Sequence, residues 1–367
     1  MSFVELWQQQ AWLQQPWDFH QIPKASRQQW PKEVQQLWHL LQPWSEIELL
    51  HYLAQSEQLT RQRFGLVRSL YTPLYLSNHC VNDCQYCGFA SRHRHLPRLA
   101  LTLDQAEQQA LALAQQGFGH LLLVAAEHPK FADAGYYQAL VTRLRPNFCH
   151  LALEAQLLRL ADYQVLRLQG LDSVLFYQET YQRAPYQLMH PRGPKSKLHD
   201  RLNGPQSMAQ AGIERIGLGI LLGLADWRLD ALALGLHLCF LQQRQPYSRY
   251  SLSLPRFCAA EGSQAQYLLS DHHFVQLNCA LRLCFPWVEI NLSTRERPAM
   301  RQLLAKTTAT HLSAASCTAP VSGEQQGSEQ FSTQDQRSLA EVSQALAMIG
   351  LESLCHEGQA RLGRDQL

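Results

Sequence analysis

Short apolar runs alternate along this chain with longer stretches in which apolar residues recur every three or four positions, and from Tyr71 the alternation holds to about Ala314. Short apolar runs bounded by turn residues read as strands, and three-and-four spacing reads as one face of a helix. The strands predicted in this way are Pro73–Ser77, His120–Ala125, His150–Glu154, Ser173–Tyr177, Arg215–Ile220, Tyr250–Leu254, Val288–Leu292 and His311–Ala314. The helices between them are Asp104–Gln116, Gly135–Arg145, Leu158–Leu168, Gln206–Ala211, Asp226–Gln243, Leu268–Phe285 and Pro298–Lys306. Eight strands separated by helices predict an α/β fold, a (β/α)8 TIM-type barrel, which takes roughly 250 residues and carries its chemistry at the C-terminal strand ends.

The flanks read differently. Six of the eight tryptophans (Trp7, Trp12, Trp17, Trp30, Trp38 and Trp44) fall in the first 44 residues, among glutamines and prolines. Trp30, Val34, Leu37, Trp38 and Leu41 keep helical spacing behind Pro31, and a second helix is predicted over Glu46–Arg63. Residues 1–68 are therefore expected to form a helical extension strapped across the outside of a barrel occupying 69–318. A polar Gly/Ser/Gln-rich stretch from Ala319 to Arg337, followed by a helix over Ser338–Met348, makes 319–367 a loop and terminal brace. One internal segment, Thr180–Gly204, is longer than an ordinary strand-to-helix connection and is either a lid or a surface insertion.

Composition narrows the class. At 367 residues and 46% hydrophobic content the chain is large enough for an enzyme core. A net charge of +2 without a long Lys/Arg tract gives no electrostatic case for nucleic acid or a membrane surface. No long apolar span and no leader-like N-terminus occur, so a cytoplasmic protein is expected. Seven of the ten cysteines are scattered singly, as expected of small buried hydrophobes in a reducing compartment.

The other three are Cys80, Cys84 and Cys87, which follow the first predicted strand in a C-x3-C-x2-C pattern. Three thiolates within eight residues suit a loop wrapped around one side of a compact metal centre. Thiolates favour zinc, copper(I) or iron–sulfur clusters. A [4Fe–4S] cube has four corners, so three cysteines leave one iron open to a substrate or cofactor. The alternative is a zinc-bound structural or docking site, which needs a fourth ligand; His79 and His93 are the candidates. Polar residues end the other strands: Glu127; Glu154 and Gln156; Gln178 and Glu179; Arg256; Ser293, Thr294, Arg295 and Glu296; and Ser313 or Ser316. They predict one polar ring at one mouth of the barrel, with no such series at the opposite ends.

The cysteine spacing, with Tyr86 before the last cysteine, resembles the signature of the radical S-adenosylmethionine (SAM) enzymes. Pro73-Leu74-Tyr75-Leu76-Ser77-Asn78-His79-Cys80, Tyr177-Gln178-Glu179-Thr180-Tyr181, Gly217-Leu218-Gly219 and Leu292-Ser293-Thr294-Arg295-Glu296 together resemble the tyrosine lyases of thiazole biosynthesis, from about Leu59 to the C-terminus. That resemblance implies a [4Fe–4S] cluster held by Cys80, Cys84 and Cys87, and SAM with Tyr86 near its adenine, Glu127 on its amino group and Glu154 in support. It implies L-tyrosine as substrate, with Arg295 on the carboxylate and Ser293, Ser316 and Tyr75 completing the pocket. A guanidinium suits that role because it meets a carboxylate with two parallel hydrogen bonds. The family reaction splits tyrosine at Cα–Cβ to p-cresol and dehydroglycine, for thiamine. Its implied partners are thiazole synthase and an electron donor such as flavodoxin or ferredoxin.

Three stretches depart from the family pattern: Ala125-Ala126-Glu127 where a glycine precedes the glutamate, Phe257-Cys258 after Arg256 where a second Arg-Pro is usual, and Ala319-Pro320-Val321-Ser322 where Gly-Gly-Tyr is usual. Rival readings are a tryptophan lyase and the hydrogenase-maturation type of tyrosine lyase. The latter needs a second, C-terminal cluster, and only Cys355 follows Cys317.

Overall fold

The computed structural model describes residues 2–260, 263 and 265–355. Eight parallel strands follow one another around a closed barrel: β1 (Val67–Ser77), β2 (His120–Ala125), β3 (His150–Glu154), β4 (Ser173–Leu175), β5 (Arg215–Gly219), β6 (Arg249–Ser253), β7 (Glu289–Leu292) and β8 (His311–Ser313), with β8 pairing back onto β1. Every predicted strand is present. β1 starts six residues early, because Val67–Ser69 pairs with a ninth strand in the sheet.

Five N-terminal helices precede the barrel: α1 (Phe3–Gln8), α2 (Ala11–Gln14), α3 (Lys24–Arg27), α4 (Lys32–Leu40) and α5 (Glu46–Phe64). They lie outside the barrel. Trp7, Trp12 and Trp30 are buried, with the Trp7 indole donating to the Tyr181 carbonyl at 2.8 Å and Phe3 stacked on His237 at 3.8 Å. Gln276 donates to the Leu40 and Gln42 carbonyls and pins α4 down. The helices that alternate with the strands are α6 (Leu103–Gln115), α7 (Ala134–Leu144), α8 (Leu160–Leu168), α9 (Arg183–Met189), α10 (Leu198–Gln210), α11 (Trp227–Arg244), α12 (Asp271–Cys284) and α13 (Pro298–Thr307). α11 buries residues all round, because the N-terminal helices cover the face that a barrel helix normally gives to water. Caps readable in the sequence start several helices: Ser45 with Glu48, Thr102 with Gln105, and Ser338 with Glu341 each form a capping box.

After β8 the chain crosses the C-terminal mouth and makes a short hairpin of β9 (Val321–Ser322) and β10 (Gln325–Gln326). It is tied down by Arg301, which is buried and bonded to Asp335 and to the Ser313 carbonyl. Then α14 (Leu339–Ala347) leads into β11 (Glu352–Leu354), parallel to the start of β1. The end of the expected brace, 356–367, lies outside the described residues.

Inside the barrel the side chains fall in layers. His120, His150, Ser173, Arg215, Glu289 and His311 occupy the N-terminal layer, where Arg215 bonds Glu289 (2.9 Å), His311 (2.8 Å) and His150 (2.9 Å). The expectation of no polar series at these ends is therefore wrong. Six of the eight strands contribute a polar residue here, and Arg215 and Glu289 pair across the barrel floor. Burial, together with Arg215 and other cations, holds His150 well below the usual histidine range; burial likewise holds His311 low, at about 3, against the pull of Glu289. Above this floor a chamber opens, lined by Tyr71, Tyr75, Leu122 and Val124 on one side and by Leu175, Tyr177 and Ser253 on the other, with Leu175 and Tyr177 packed over Gly217 and Gly219.

Candidate active site

Ser77 ends β1, and the chain turns into the cysteine loop under the control of Asn78. Its amide donates to the Pro97 carbonyl at 2.9 Å, and its oxygen accepts from Leu99 N–H at 2.7 Å. Three further elements then clasp the loop. From the end of β2, the Glu127 carbonyl accepts from Val81 N–H (2.9 Å) and its carboxylate accepts from the Asn82 amide (2.7 Å). From the 180–204 segment, the Arg192 and Met189 carbonyls accept from the backbone N–H groups of Asp83 (3.2 Å) and Gln85 (3.0 Å). From the C-terminal crossing, the Gln330 carbonyl accepts from Gly88 N–H at 3.0 Å.

The segment 180–204 does not stand off as a surface insertion: it contains α9 and the start of α10 and is packed against the loop. Gly193, at φ 95°, passes so close that a Cβ there would lie 2.3 Å from Asn82 Oδ1.

All ten residues expected at the site line one chamber. Cys80, Cys84, Cys87 and Tyr86 form one wall; Glu127 and Glu154 stand at the ends of β2 and β3; Tyr75 lies on β1; Ser293, Arg295 and Ser316 close the side made by β7 and β8. Two of the expected ring residues turn elsewhere. Arg256 is held by Glu296 and Asp271, and Gln178 bonds backbone within its own strand end.

The chamber also recruits groups that the strand-end pattern did not flag. Lys195 and Arg201 reach in from the 180–204 segment and grip Glu179, at 2.6 and 3.8 Å. Glu179 itself sits at φ 68°, a left-handed conformation uncommon for a side-chain residue. Burial alone raises its carboxyl, but Lys195 and Arg201 outweigh this and hold it below the usual range. Tyr177 fills the space over Gly219, where a Cβ would lie 2.6 Å from its ring. Gln330 accepts from the Tyr75 hydroxyl at 2.7 Å. The signal for Lys195 was its basic, overlong segment; Gln330 had none.

Charge is laid out unevenly. The Arg295 guanidinium lies 3.4 Å over the Phe331 ring and has no carboxylate partner among the described residues. The Ser316 hydroxyl is buried without a hydrogen-bond partner. Tyr86 donates to or accepts from His190 at 2.8 Å, beneath an apolar patch of Met189, Leu221, Leu224 and Phe257. Phe257, one of the departures noted above, therefore gives this wall an apolar surface. Ala126 places its methyl in the chamber wall beside Glu127.

The three cysteine thiols suit a soft metal centre. Burial pushes Cys80 up to about 11 and Cys84 to about 12, and raises Cys87 as well, so each becomes a thiolate only when a cation supplies the compensating charge. The zinc alternative loses its fourth ligand. His79 stacks on Phe131 at 4.0 Å, and neither His79 nor His93 lines the chamber.

A parallel (β/α)8 barrel with three clustered cysteines after its first strand, facing a polar chamber at the C-terminal mouth, defines the radical SAM class of enzyme. Residues 74–233 match the Radical SAM superfamily, and residues 253–352 match the Biotin and Thiamin Synthesis associated domain. The chain is 40% identical over 322 residues to a 2-iminoacetate synthase of Escherichia coli (strain K12), covering 86% of this chain and 85% of that one. It is 38% identical over 333 residues to a 2-iminoacetate synthase of Salmonella typhimurium (strain LT2), covering 89% and 88%. It belongs to the 2-iminoacetate synthase family. Among solved structures, the [FeFe]-hydrogenase maturase HydG from Carboxydothermus hydrogenoformans superimposes with a TM-score of 0.84 at 27% identity, over 98% of this chain and 86% of that one. A second HydG structure gives 0.83 at 23% identity, over 99% and 81%, a likeness of fold.

Proposed function

We propose that this enzyme cleaves L-tyrosine at Cα–Cβ to 2-iminoacetate (dehydroglycine) and p-cresol, consuming SAM as 5′-deoxyadenosine and methionine. The observation that carries the reading is the chamber itself, in which a three-cysteine loop and an arginine with no carboxylate partner among the described residues face each other across a space lined by phenols and serines. When bound through Cys80, Cys84 and Cys87, a [4Fe–4S] cluster and SAM supply the one-electron cleavage that releases a 5′-deoxyadenosyl radical. Everything else is positioning, because a primary alkyl radical reacts with almost any nearby hydrogen.

Glu127 takes the SAM amino group, and its bond to Asn82 fixes its direction. Tyr86 presents its ring to the adenine over the apolar patch. Arg295 binds the tyrosine carboxylate with both arms of its fork, pre-aimed by the Phe331 face. Ser316, with its orphaned hydroxyl, and Ser293 add hydrogen bonds to the same group. Tyr75, held by Gln330, walls the side toward Phe89.

An unstable imine product favours delivery to a thiazole synthase, and the cluster takes its electron from a carrier such as flavodoxin or ferredoxin. No described helix is long and apolar enough to cross a membrane, and a cytoplasmic setting fits the reducing chemistry. The hydrogenase-maturation chemistry is less well supported, since the relatives at 38–40% identity are 2-iminoacetate synthases, whereas the HydG structures are 23–27% identical. The test is anaerobic turnover with SAM, reductant and each aromatic amino acid in turn, with products read by mass. p-Cresol from tyrosine, without cyanide or carbon monoxide, supports the reading; a methylindole from tryptophan in its place overturns it.

A further inference from the structure

We infer that Glu154 is the group that receives the ammonium proton of the substrate amino acid, acting on the tyrosine and not on SAM. The inference rests on the tyrosine-lyase reading given above. That reaction opens with removal of a hydrogen atom from the substrate amine, which requires a free lone pair on nitrogen, whereas an amino acid arrives from water as an ammonium. A proton acceptor is therefore needed inside the chamber.

The strand register fixes where Glu154 stands. Tyr75 pairs with Val124, and Val124 pairs with Glu154, so the three form one row across β1, β2 and β3. Glu127 lies three residues beyond that row, and its carboxylate is already engaged with Asn82 of the cysteine loop. Glu154 is thus a layer deeper, at the level of Tyr75, and its carboxylate has no hydrogen-bond or ion-pair partner among the described residues. The neighbouring carboxylate, Glu179, is already neutralised by Lys195 and Arg201. Arg295, which likewise has no ion-pair partner among the described residues, lies close enough to act on both Glu154 and Tyr75. A carboxylate without any partner and a guanidinium without an ion pair, facing the same space among the described residues, are the complement of a zwitterionic amino acid.

The charge environment agrees with the role. Burial, then the nearby Glu179, raises Glu154 to about 7, against the lowering pull of Lys195, Arg295 and Arg201. The phenols around it, Tyr71, Tyr75 and Tyr177, are all raised by burial and remain neutral, so none competes as a base. In a water-poor chamber a neutral amine beside a neutral carboxylic acid is favoured over a buried ion pair without further support. The step balances without any oxidant or reductant: one proton moves from the substrate nitrogen to a carboxylate oxygen, leaving the amine lone pair free and Glu154 uncharged.

The experiment uses cluster-loaded enzyme with SAM, first without reductant. Dissociation constants are measured for tyrosine and for 3-(4-hydroxyphenyl)propionate, which lacks the amino group, in the wild type, Glu154→Gln and Glu154→Asp; SAM affinity is measured separately. Glu154→Gln is expected to weaken tyrosine about 10- to 150-fold, because the ammonium arriving from water then meets no group that takes its proton, a loss in the range of a hydrogen bond to a charged group, and to leave the deamino analogue and SAM unchanged. With reductant, its p-cresol rate should climb with pH as solvent takes the ammonium proton, while Glu154→Asp recovers part of the neutral-pH rate. Loss of SAM affinity with tyrosine binding intact would overturn the inference, as would equal weakening of tyrosine and the analogue, or a pH profile parallel to wild type. If the wild type itself makes no p-cresol, the functional reading fails; if it does and the variant behaves like it, only the role of Glu154 fails.

Discussion

Replacing Arg295 by alanine separates substrate recognition from everything else the chamber does. Among the described residues the side chain makes no ion pair; its contact is the stack on Phe331, at 3.4 Å from the ring centroid. A partly exposed stack of this kind is worth about 0.5 to 1 kcal/mol, which in a chain of this size lowers the melting temperature by no more than about 4 °C. The bond it is built to make is worth more. A hydrogen bond to a charged group contributes about 1.5 to 3 kcal/mol, so its loss is expected to weaken tyrosine about 10- to 150-fold. Arg295→Lys keeps the charge without the fork and should fall between the two. The assay is tyrosine affinity and p-cresol kcat/KM on cluster-loaded enzyme, with iron content and SAM affinity as controls. Tyrosine affinity within twofold of wild type would refute the reasoning, as would a loss of iron in parallel with the loss of affinity.

Four other outcomes are expected. Cys84→Ala should fail to hold a full complement of iron and sulfide and should not cleave SAM reductively, as chemical analysis and 5′-deoxyadenosine release will show. Asp335→Asn leaves the buried Arg301 guanidinium uncompensated and should cost about 3 to 5 kcal/mol in denaturant unfolding, the opposite of the small change at Arg295. Gly193→Ala meets both a positive φ and the Asn82 side chain, so it should displace the cysteine loop and reduce reconstituted iron while α-helical circular dichroism is kept. His237, buried under Phe3, is depressed from 6.5 to about 3. Its stabilising effect is present above pH 6.5 and lost progressively as pH falls toward 3, because the unfolded chain takes up the proton first. His237→Gln should flatten the acid limb of stability by up to about 1.4 kcal/mol per pH unit in that window.

The barrel was legible because its strands are short apolar runs separated by helices with caps written in the sequence; β2 and β3 begin and end where the runs do. β11 was not, since Glu352-Ser353-Leu354 has no apolar run and becomes a strand only by pairing with Val67–Ser69. That same pairing extends β1 backward through Arg68, whose buried guanidinium is satisfied by the Ala305 carbonyl. The barrel-floor layer of His120, His150, Arg215, Glu289 and His311 escaped notice because each residue sits singly at the head of an apolar strand, and only closure of the barrel brings them together. The cysteines and strand-end residues were readable as a set, because one topology sends all of them to the same mouth. Gln330 and Phe331 come from a connection whose path over the chamber no local pattern encodes, whereas Lys195 belongs to the overlong basic segment and only its contact with Glu179 was hidden. That path and that contact were found only in three dimensions.

The central claim is that three cysteines hold a [4Fe–4S] cluster with one iron left for SAM, beside the chamber that binds tyrosine. The most direct measurement is electron paramagnetic resonance of the anaerobically reduced, reconstituted enzyme, without SAM and then with SAM labelled with 15N in its amino group. The account predicts a reduced [4Fe–4S] signal that shifts when SAM is added and acquires coupling to the labelled nitrogen. A signal unchanged by SAM, or a colourless protein containing zinc and no iron, would contradict it.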